Sequence, residues 1–469
     1  MKKLLLSAMA AASLLASDSE LQTLKAQMEQ MSKMMKEMQE KIDHLEHAET
    51  PESTAVHTSQ HHLSSESHAE HESSLLDISL NLDASYVSRS KKDEELTHLG
   101  LPGIAHGLIG SDSHAGHDHA TYNASNGFNL NYAEMLFHGT LNPSLDADAV
   151  FHFTEEGVEI EEAYITRSNL PYNLRVRGGK FLSEFGRLNN QHHHEWSFSD
   201  MPLVYEAFLG LHGINEIGAQ LQWVAPTSHY LMFGFEALQG KNASMFGQTA
   251  IHNPYIGQEE EVLSASANQP SLLVGYVKTA ADIDNTTILV GASIAHGNSR
   301  QDHFGDETPY AFSGKSDLYG MDLTLIHRFG NDRSLMWQSE WLYRNMEGTH
   351  ISDLDDDLLT PDELVYSSME AQQAGYYSQL VYSPDHSWKI GARYDNIYQN
   401  DISLPTAFTP ENMDQYSAMI EYSTSESARY RLQYTHSNAL FNEEGIRQNL
   451  DSLIFSFNLT LGEHSDHEF

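Results

Sequence analysis

The chain reads LIFSFNLTLG at residues 453–462, and every odd-numbered position in this stretch carries a large apolar side chain. The even-numbered positions carry one Ile followed by Ser, Asn, Thr and Gly. Successive side chains of an extended chain point to opposite faces, so a repeat of two residues predicts a β-strand. One face of this strand is apolar throughout, and the other is mostly polar.

The same alternation recurs in sixteen segments along most of the chain. Every second connection between them is a tight turn, and the others are mostly long, with residues 155–157 as a short exception. Short periplasmic turns that alternate with long outer loops are typical of membrane barrels. We therefore predict an all-β fold: an antiparallel transmembrane β-barrel of about 16 strands over residues 75–469, with the terminal Phe469 as an assembly signal. The strands are predicted to begin near residues 75, 126, 144, 157, 172, 213, 228, 271, 285, 316, 333, 369, 387, 412, 426 and 449.

The residues before the barrel divide into three predicted segments. Residues 1–17 start with two lysines and a short apolar run, the pattern of a secretory signal peptide. Residues 18–48 carry apolar side chains at alternating spacings of three and four, which predicts an α-helical coiled coil. Residues 49–74 are rich in Ser, His and Glu and predict a flexible linker. An even number of strands returns both chain ends to one side, so we expect the coiled coil in the periplasm.

The overall composition excludes several classes of function. Cysteine is absent, which excludes a disulfide scaffold and a thiolate nucleophile. The chain has 26 Lys and Arg against 66 Asp and Glu, a formal net charge of −40, so we expect no nucleic-acid partner and a surface that favours cations. HExxH, GxSxG and phosphate-binding glycine-loop motifs are missing, so we expect no enzymatic activity and no required cofactor.

Histidines are concentrated in the first outward loop, where residues 112–119 read DSHAGHDH. This run resembles the histidine-rich loops with which zinc transporters trap metal ions. We expect His114, His117 and His119 to bind a divalent cation transiently, because ordering a flexible loop opposes tight binding. The alternative is a surface loop in which the histidines are incidental.

A second histidine cluster, HHHE at residues 192–195, lies in the third outward loop. Imidazole and carboxylate groups are good ligands for zinc, nickel or cobalt. Neighbouring side chains of an extended chain point to opposite sides, so we expect His192 and His194 to share one ion, with Glu195 or a residue from elsewhere. The alternative is a polar loop that packs against Trp196 and Phe198.

The polar faces of the strands predict a water-filled lumen with charges of both signs. Rings of charged side chains can set the ion selectivity of a pore. The alternative is that these residues only keep the channel filled with water. The predicted lumen-facing residues are Asp146, Asp148, His152, Arg175, Arg177, Arg393, Arg429 and Arg431.

Three short motifs carry a family resemblance. The sequences EAYI at residues 162–165, GKF at 179–181 and FGR at 185–187 resemble the phosphate-selective-type (O/P-like) outer-membrane porins. The stretch 458–469 is similar to the ends of zinc-regulated outer-membrane porin-like proteins. The resemblance implies a porin in the outer membrane of a Gram-negative bacterium, a third loop that folds into the lumen as the constriction, and a homotrimer, here through the coiled coil.

Several functions are compatible with these patterns. The first is passive diffusion of small hydrophilic solutes across the lipid of the outer membrane, favouring divalent metal cations such as Zn²⁺ that the histidines bind. The second is a general or an anion/phosphate-type porin, although an anion-selective lumen is expected to be basic and this chain is acidic. The third is a structural or adhesive envelope protein.

Overall fold

The computed structural model describes residues 76–106, 122–155, 157–242, 245–248, 250–252, 261–263, 270–303, 310–330, 332–353, 364–404, 407–425, 427–442 and 444–462. The predicted signal peptide, coiled coil and linker, over residues 1–74, lie outside the described residues. So do His114, His117 and His119 of the first loop, and the terminal Phe469.

Sixteen long strands in the described residues form one closed antiparallel barrel. Each strand pairs with the next along the chain, and the first pairs with the last, with Leu82 opposite Leu459. The predicted barrel and its strand number are therefore confirmed. The strands are β1 Asp77–Arg89, β2 Gly127–Asn142, β3 Leu145–Phe153, β4 Val158–Leu170, β5 Leu174–Leu182, β6 Asn215–Val224, β7 Tyr230–Leu238, β8 Leu272–Ile283, β9 Thr286–His303, β10 Tyr310–Gly330, β11 Arg333–Asp353, β12 Leu364–Ser383, β13 Trp388–Ile402, β14 Met413–Ser425, β15 Ala428–Asn442 and β16 Arg447–Leu461.

The connections alternate in length as predicted, with tight turns at one end of the barrel and longer loops at the other. The short β3–β4 connection is the predicted exception. Two of the tight turns contain Asp284 and Asp332, whose φ angles are 52° and 62°. Asp tolerates this left-handed backbone better than most residues, which suits it to a tight turn.

Two predicted strand starts are wrong, because the strands reach farther toward the long loops than their alternation indicates. β10 begins at Tyr310 rather than near residue 316, and β12 begins at Leu364 rather than near residue 369. β10 and β11 each have 21 residues, about twice the 9–11 that cross a bilayer. Beyond the bilayer neither face of a strand meets lipid, so the sequence there does not need to alternate.

Small elements lie in the loops between the long strands. None of the helices within the described residues has the length and hydrophobicity needed to cross a membrane. These elements are helices α1 (Asp93–Leu96) and α2 (Leu203–Leu209), the 3-10 turns Pro171–Asn173 and His193–Glu195, and the short strands Leu99–Leu101, Ala105–His106, Ile251–His252 and Glu261–Leu263.

The outward face of the barrel is apolar and is flanked by aromatic residues. Ile390, in the middle of this face, is 52% exposed. Trp388 and Tyr422 meet near the short turns with ring centroids 4.6 Å apart, and Tyr394 and Tyr416 meet farther along the same strands at 4.9 Å. An apolar band between aromatic residues is the composition of a barrel wall that faces lipid.

The third loop, residues 183–214, folds into the barrel and binds its inner wall. Its backbone N–H groups donate hydrogen bonds to side chains on widely separated strands: Gly186 to Ser293 of β9, Leu188 to Glu340 of β11, Ser199 to Gln433 of β15 and Leu203 to Asp395 of β13. The expectation that the third loop enters the lumen is therefore confirmed. Its apolar side chains, including Phe185, Trp196, Phe198 and Phe208, make a packed core inside the barrel.

Candidate functional site

The HHHE sequence forms a 3-10 turn in the third loop, rather than the extended chain expected from the sequence. The Glu195 carboxylate accepts a hydrogen bond from the backbone N–H of His192 at 3.1 Å, which closes the turn in the manner of a capping box. The Trp196 indole N–H donates to the carbonyl of Gln191 at 3.1 Å. Glu195 was predicted from the sequence as a metal ligand. The structure gives it a structural contact within the turn, which the sequence did not predict.

His192 and His194 lie side by side against one carboxylate of the barrel wall. Their rings stack with centroids 5.7 Å apart. The Nδ1 of His192 is 3.5 Å from Oε2 of Glu134, and the Nδ1 of His194 is 3.6 Å from Oε1 of the same residue. The structure thus brings together the two histidines that alternation predicted to share a site, and adds Glu134 of β2.

The wall contributes a third histidine. Glu134 of β2 lies directly opposite His152 of β3, and Oε2 of Glu134 is 3.0 Å from Nε2 of His152. The His152 ring stacks on Tyr132 with centroids 4.6 Å apart. His152 was predicted to face the lumen, and the structure places it in this buried cluster.

A β-bulge supplies two more carboxylates. The β3–β4 register shifts between Val150 and Phe151, whose partners are Glu162 and Ile160, so Glu161 has no partner across the sheet. A bulge of this kind turns adjacent side chains to the same side of a sheet, and here both Glu161 and Glu162 are buried. Glu162 approaches Nε2 of His192 at 3.2 Å, and Glu161 approaches Nδ1 of His152 at 4.0 Å.

His193 has a different role from its two neighbours. Its ring stacks on Tyr122 with centroids 4.0 Å apart and an interplanar angle of 4°. Its Nε2 lies 3.3 Å from the carbonyl oxygen of Ser199, and its Nδ1 lies 3.4 Å from the hydroxyl of Tyr132. Burial lowers the pKa of His193. His193 therefore packs against the rings of Tyr122 and Tyr132.

The surrounding carboxylates make the position of His192 attractive to cations. Burial by itself lowers the pKa of His192, but Glu134 and Glu162 outweigh it and raise the pKa to about 10. A buried imidazole among carboxylates is stable when it carries a proton or binds a metal ion, because either one supplies positive charge.

A large cavity of about 1130 Å³ lies at the short-turn end of the barrel, next to the third loop. Three of the predicted lumen residues, Arg175, Arg177 and Arg429, line it together with His194 and Glu195. The acidic balance of the whole chain does not extend to this cavity, because the charged residues around it are nearly balanced. They are Arg175, Arg177, Arg187, Lys278, Lys389 and Arg429 against Glu162, Glu184, Glu195, Asp322 and Glu421.

Two other predicted lumen arginines bind the third loop instead of lining this cavity. Arg393 forms ion pairs at 2.8 Å with Asp200 of the loop and with Asp395 of its own strand. Arg431 donates to the carbonyl of Trp196 at 2.7 Å. Both point inward as predicted, but the loop covers them.

The remaining predicted lumen residues, Asp146 and Asp148, make contacts between β2 and β3. Asp146 accepts a hydrogen bond from the Thr140 hydroxyl at 3.0 Å. Asp148 lies 2.6 Å from Nδ1 of His138. These contacts hold the two strands together near their tight turn.

Sequence reasoning missed Glu134 as a candidate site residue. The tight turn between β2 and β3 could have identified it. Pairing of Thr140 with Asp146 across this turn fixes the register of the two strands and places Glu134 opposite His152. Glu162 was noticed only as part of the EAYI motif, and no local pattern predicts the bulge that turns it inward.

A buried carboxyl group of α2 makes the third loop sensitive to pH. Burial, with the nearby carboxylates of Asp200 and Asp395, outweighs the opposing Arg393 and Arg89 and raises the pKa of Glu206 to about 8. Between the ordinary pKa of 4.5 and about 8, the folded loop binds a proton that the released loop does not, so its stability falls as pH rises. We expect faster hydrogen exchange of the loop amides at pH 9 than at pH 6 after correction for intrinsic rates. A Glu206→Gln variant is expected to lose this difference; an unchanged pH dependence would contradict the assignment.

Known proteins resemble this chain in shape and in sequence. Three similar solved structures are a loop L8 deletion mutant of OmpT, an outer membrane protein of Vibrio cholerae (TM-score 0.47, 10% identity), the outer membrane channel DcaP of Acinetobacter baumannii (0.46, 10%) and the anion-selective porin from Comamonas acidovorans (0.44, 8%). Each alignment covers 82% of this chain, and 99%, 96% and 99% of those chains respectively. Likeness at this level says nothing about what passes through the barrel.

No protein-family model matches the chain. An uncharacterized protein of Aquifex aeolicus (strain VF5) is 39% identical over 398 residues. The alignment covers 84% of this chain and 80% of that protein. The chain therefore belongs to the same family as this Aquifex aeolicus protein.

Proposed function

We propose that the protein is a passive porin of the outer membrane of a Gram-negative bacterium, and that it favours divalent metal cations such as zinc. The observation that carries the proposal is a closed barrel with an apolar outer face, a polar cavity of about 1130 Å³ and an inward-folded third loop beside it. A lipid-facing wall around a polar interior is the architecture of a solute channel rather than of a packed soluble protein.

The cation preference rests on the residues at the boundary between loop and cavity. His194, Glu162 and Glu195 line the cavity, and the buried Glu134 lies behind His194. Imidazole and carboxylate groups together bind divalent cations of the zinc type better than they bind anions. The histidines of the first loop supply further ligands in this proposal.

The proposed orientation follows from the lengths of the connections. The short turns face the periplasm, and the long loops face the exterior. The coiled coil at residues 18–48 then lies in the periplasm and assembles three copies. In this proposal the passage of solutes requires no cofactor, and the channel catalyses no reaction.

A second candidate, a general or anion-selective porin, is favoured by two arginines. Arg175 and Arg177 line the cavity, and the Nε of each has no hydrogen-bond partner in the described structure. The Arg177 guanidinium lies 4.4 Å from the ring centroid of Tyr164. Guanidinium groups with free donors attract carboxylate and phosphate groups.

Recording in planar bilayers tests the proposal and separates it from the second candidate. We expect discrete channels whose reversal potential in a salt gradient favours cations, with the current in potassium chloride reduced by micromolar zinc chloride. A reversal potential that favours anions would overturn the cation preference and support the second candidate. A correctly folded barrel without conductance would overturn both, and would favour a structural or adhesive role.

A single substitution tests the part played by the cavity histidine. We expect His194→Gln to weaken the reduction of current by zinc about tenfold, because it removes an imidazole at the cavity wall. His386→Gln is the matched control, since His386 also lines the cavity but lies in the tight turn between β12 and β13. Equal zinc sensitivity of the two variants would contradict a role for His194.

A further inference from the structure

The innermost part of the histidine cluster is separate from the large cavity. His152, Glu161 and His192 line a small space of about 20 Å³. A space of this size has room for one water-sized particle. The side chains of His152, Glu134 and His192 are at most 4% exposed. A particle held there is not in the open path of a permeating solute.

Next to this space, ligand atoms of Glu134, His152 and His192 have separations close to those of a metal site. Oε2 of Glu134 lies 3.0 Å from Nε2 of His152 and 3.5 Å from Nδ1 of His192, and one ligand atom from each residue lies within 4.8 Å of the others. Zinc bonds of about 2.0–2.1 Å in a tetrahedral arrangement place ligand atoms about 3.3 Å apart. The three groups are therefore close to the spacing that one ion requires.

Both histidines have a carboxylate at the other ring nitrogen. Nε2 of His192 lies 3.2 Å from Glu162, and Nδ1 of His152 lies 4.0 Å from Glu161. A metal-binding histidine almost always donates its second N–H to a carboxylate, a carbonyl or water, which orients the ring. The Oε2 atom of Glu161 has no hydrogen-bond partner in the described structure. Its free acceptor is available for the N–H of a metal-bound His152.

We propose that Glu134, His152 and His192 form a resident site for one zinc-type divalent cation that ties the third loop to the barrel wall. Glu134 and His152 belong to adjacent strands of the wall, and His192 belongs to the loop. One ion bound to all three joins the wall and the loop directly. His194 lies between this site and the large cavity, and it supplies a fourth ligand or the route of entry.

This inference does not rest on the proposed cation preference of the channel. A resident ion that holds the loop is compatible with any permeating solute, because it does not leave during transport. Metal content and loop protection are also measured on purified protein without any conductance. Failure of the metal site therefore leaves the porin proposal standing, and the reverse is also true.

The test uses the full-length protein, refolded in detergent and stripped of metal. Zinc chloride is added, and the protein is dialysed against a chelator of intermediate strength, which removes zinc from weak histidine-rich segments. We expect one equivalent of zinc to remain. We also expect this zinc to slow hydrogen exchange of the backbone amides at residues 185–209 at least tenfold, a readout that reports on the third loop alone.

The decisive variant is His152→Gln, with His436→Gln as its matched control. His436 also lies opposite a carboxylate on the neighbouring strand, and its Nδ1 is 2.8 Å from Asp451. This pair does not include a second histidine. We expect His152→Gln to lose both the retained zinc and the protection of the loop, and His436→Gln to keep both. Retention of one equivalent of zinc by His152→Gln, or unchanged loop exchange in the zinc-loaded wild type, would overturn the proposal.

A second variant keeps the proposal testable if His152→Gln does not fold. Glu161→Gln keeps all three ligands and removes only the carboxylate near Nδ1 of His152. Loss of such an outer partner typically weakens metal binding 10- to 100-fold, and we expect the zinc affinity to fall in this range. Wild-type affinity in a folded Glu161→Gln protein would count against the site.

Discussion

Replacement of Glu340 by Ala is expected to release the third loop from the barrel wall. The Glu340 carboxylate accepts hydrogen bonds from the backbone N–H groups of Arg187 and Leu188, at 2.8 and 2.9 Å, and from the hydroxyls of Tyr205 and Tyr377, at 2.7 and 2.5 Å. The carboxylate is buried, with Glu340 only 1% exposed. Three of these donors, from Arg187, Leu188 and Tyr205, belong to the third loop, and Tyr377 belongs to β12 of the wall.

The expected effect of Glu340→Ala on loop opening is large. A donor that loses its acceptor in the interior costs about 1–3 kcal/mol, so the three loop donors together lower the free energy of loop opening by at least ~3 kcal/mol. That change corresponds to more than ~100-fold faster hydrogen exchange of the loop amides. For the proposed channel we also expect a higher conductance, because a released loop obstructs less of the lumen.

Glu347→Ala is the control for this prediction. Glu347 lies on the same strand, β11, and is exposed. We expect it to behave as the wild type in both measurements. Equal loop exchange in the Glu340 and Glu347 variants would show that the hydrogen bonds to Glu340 do not hold the loop. The barrel itself should stay closed in both, because its strand pairing does not involve these side chains.

Replacement of Arg393 by Met is the second substitution from which we expect a large effect on the free energy of loop opening. The Arg393 guanidinium lies between Asp200 and Asp395, and it stacks 4.9 Å from the ring centroid of Phe198. Met keeps much of the volume but removes the charge that compensates two carboxylates. Removing one partner of a buried ion pair costs about 3–5 kcal/mol, since the remaining charge stays buried without compensation.

A double-mutant cycle separates the charge effect from lost packing. Asp395→Asn in the Arg393→Met background removes one of the two uncompensated charges, and we expect it to restore ~1–2 kcal/mol of the loss. The free energy of loop opening, from hydrogen exchange of residues 185–209, is the measured quantity. Arg333→Met, at the exposed start of β11, is the control for loss of one positive charge. Additive effects of the Arg393 and Asp395 substitutions would contradict the ion-pair explanation.

The periodicity of the sequence was sufficient to predict the barrel. Lipid on one side and water on the other require alternation of side chains along each strand, and this requirement is local. The stretch at residues 453–462 therefore predicts β16 without any knowledge of its partners. Where β10 and β12 leave the apolar band this requirement ends, and there the predicted strand starts were wrong.

The sequence also predicted the position of the histidine cluster but not its complete composition. HHHE lies in the third loop, and alternation predicted the pairing of His192 with His194, although the chain there forms a 3-10 turn and not an extended strand. Glu134, His152 and the bulged Glu162 join His192 only when the loop folds inward and the β2–β3 register sets two wall residues opposite each other. No local pattern shows that these residues meet.

The sequence by itself thus determined the strand number, the alternation of turns and loops, and the loop that carries the histidines. Each of these depends on neighbouring residues and on the solvent that they face. Only the tertiary structure decided which carboxylates meet the histidines, and that Arg393 and Arg431 hold the loop rather than line the large cavity. These contacts join residues far apart in the chain, and strand register and the path of the third loop bring them together.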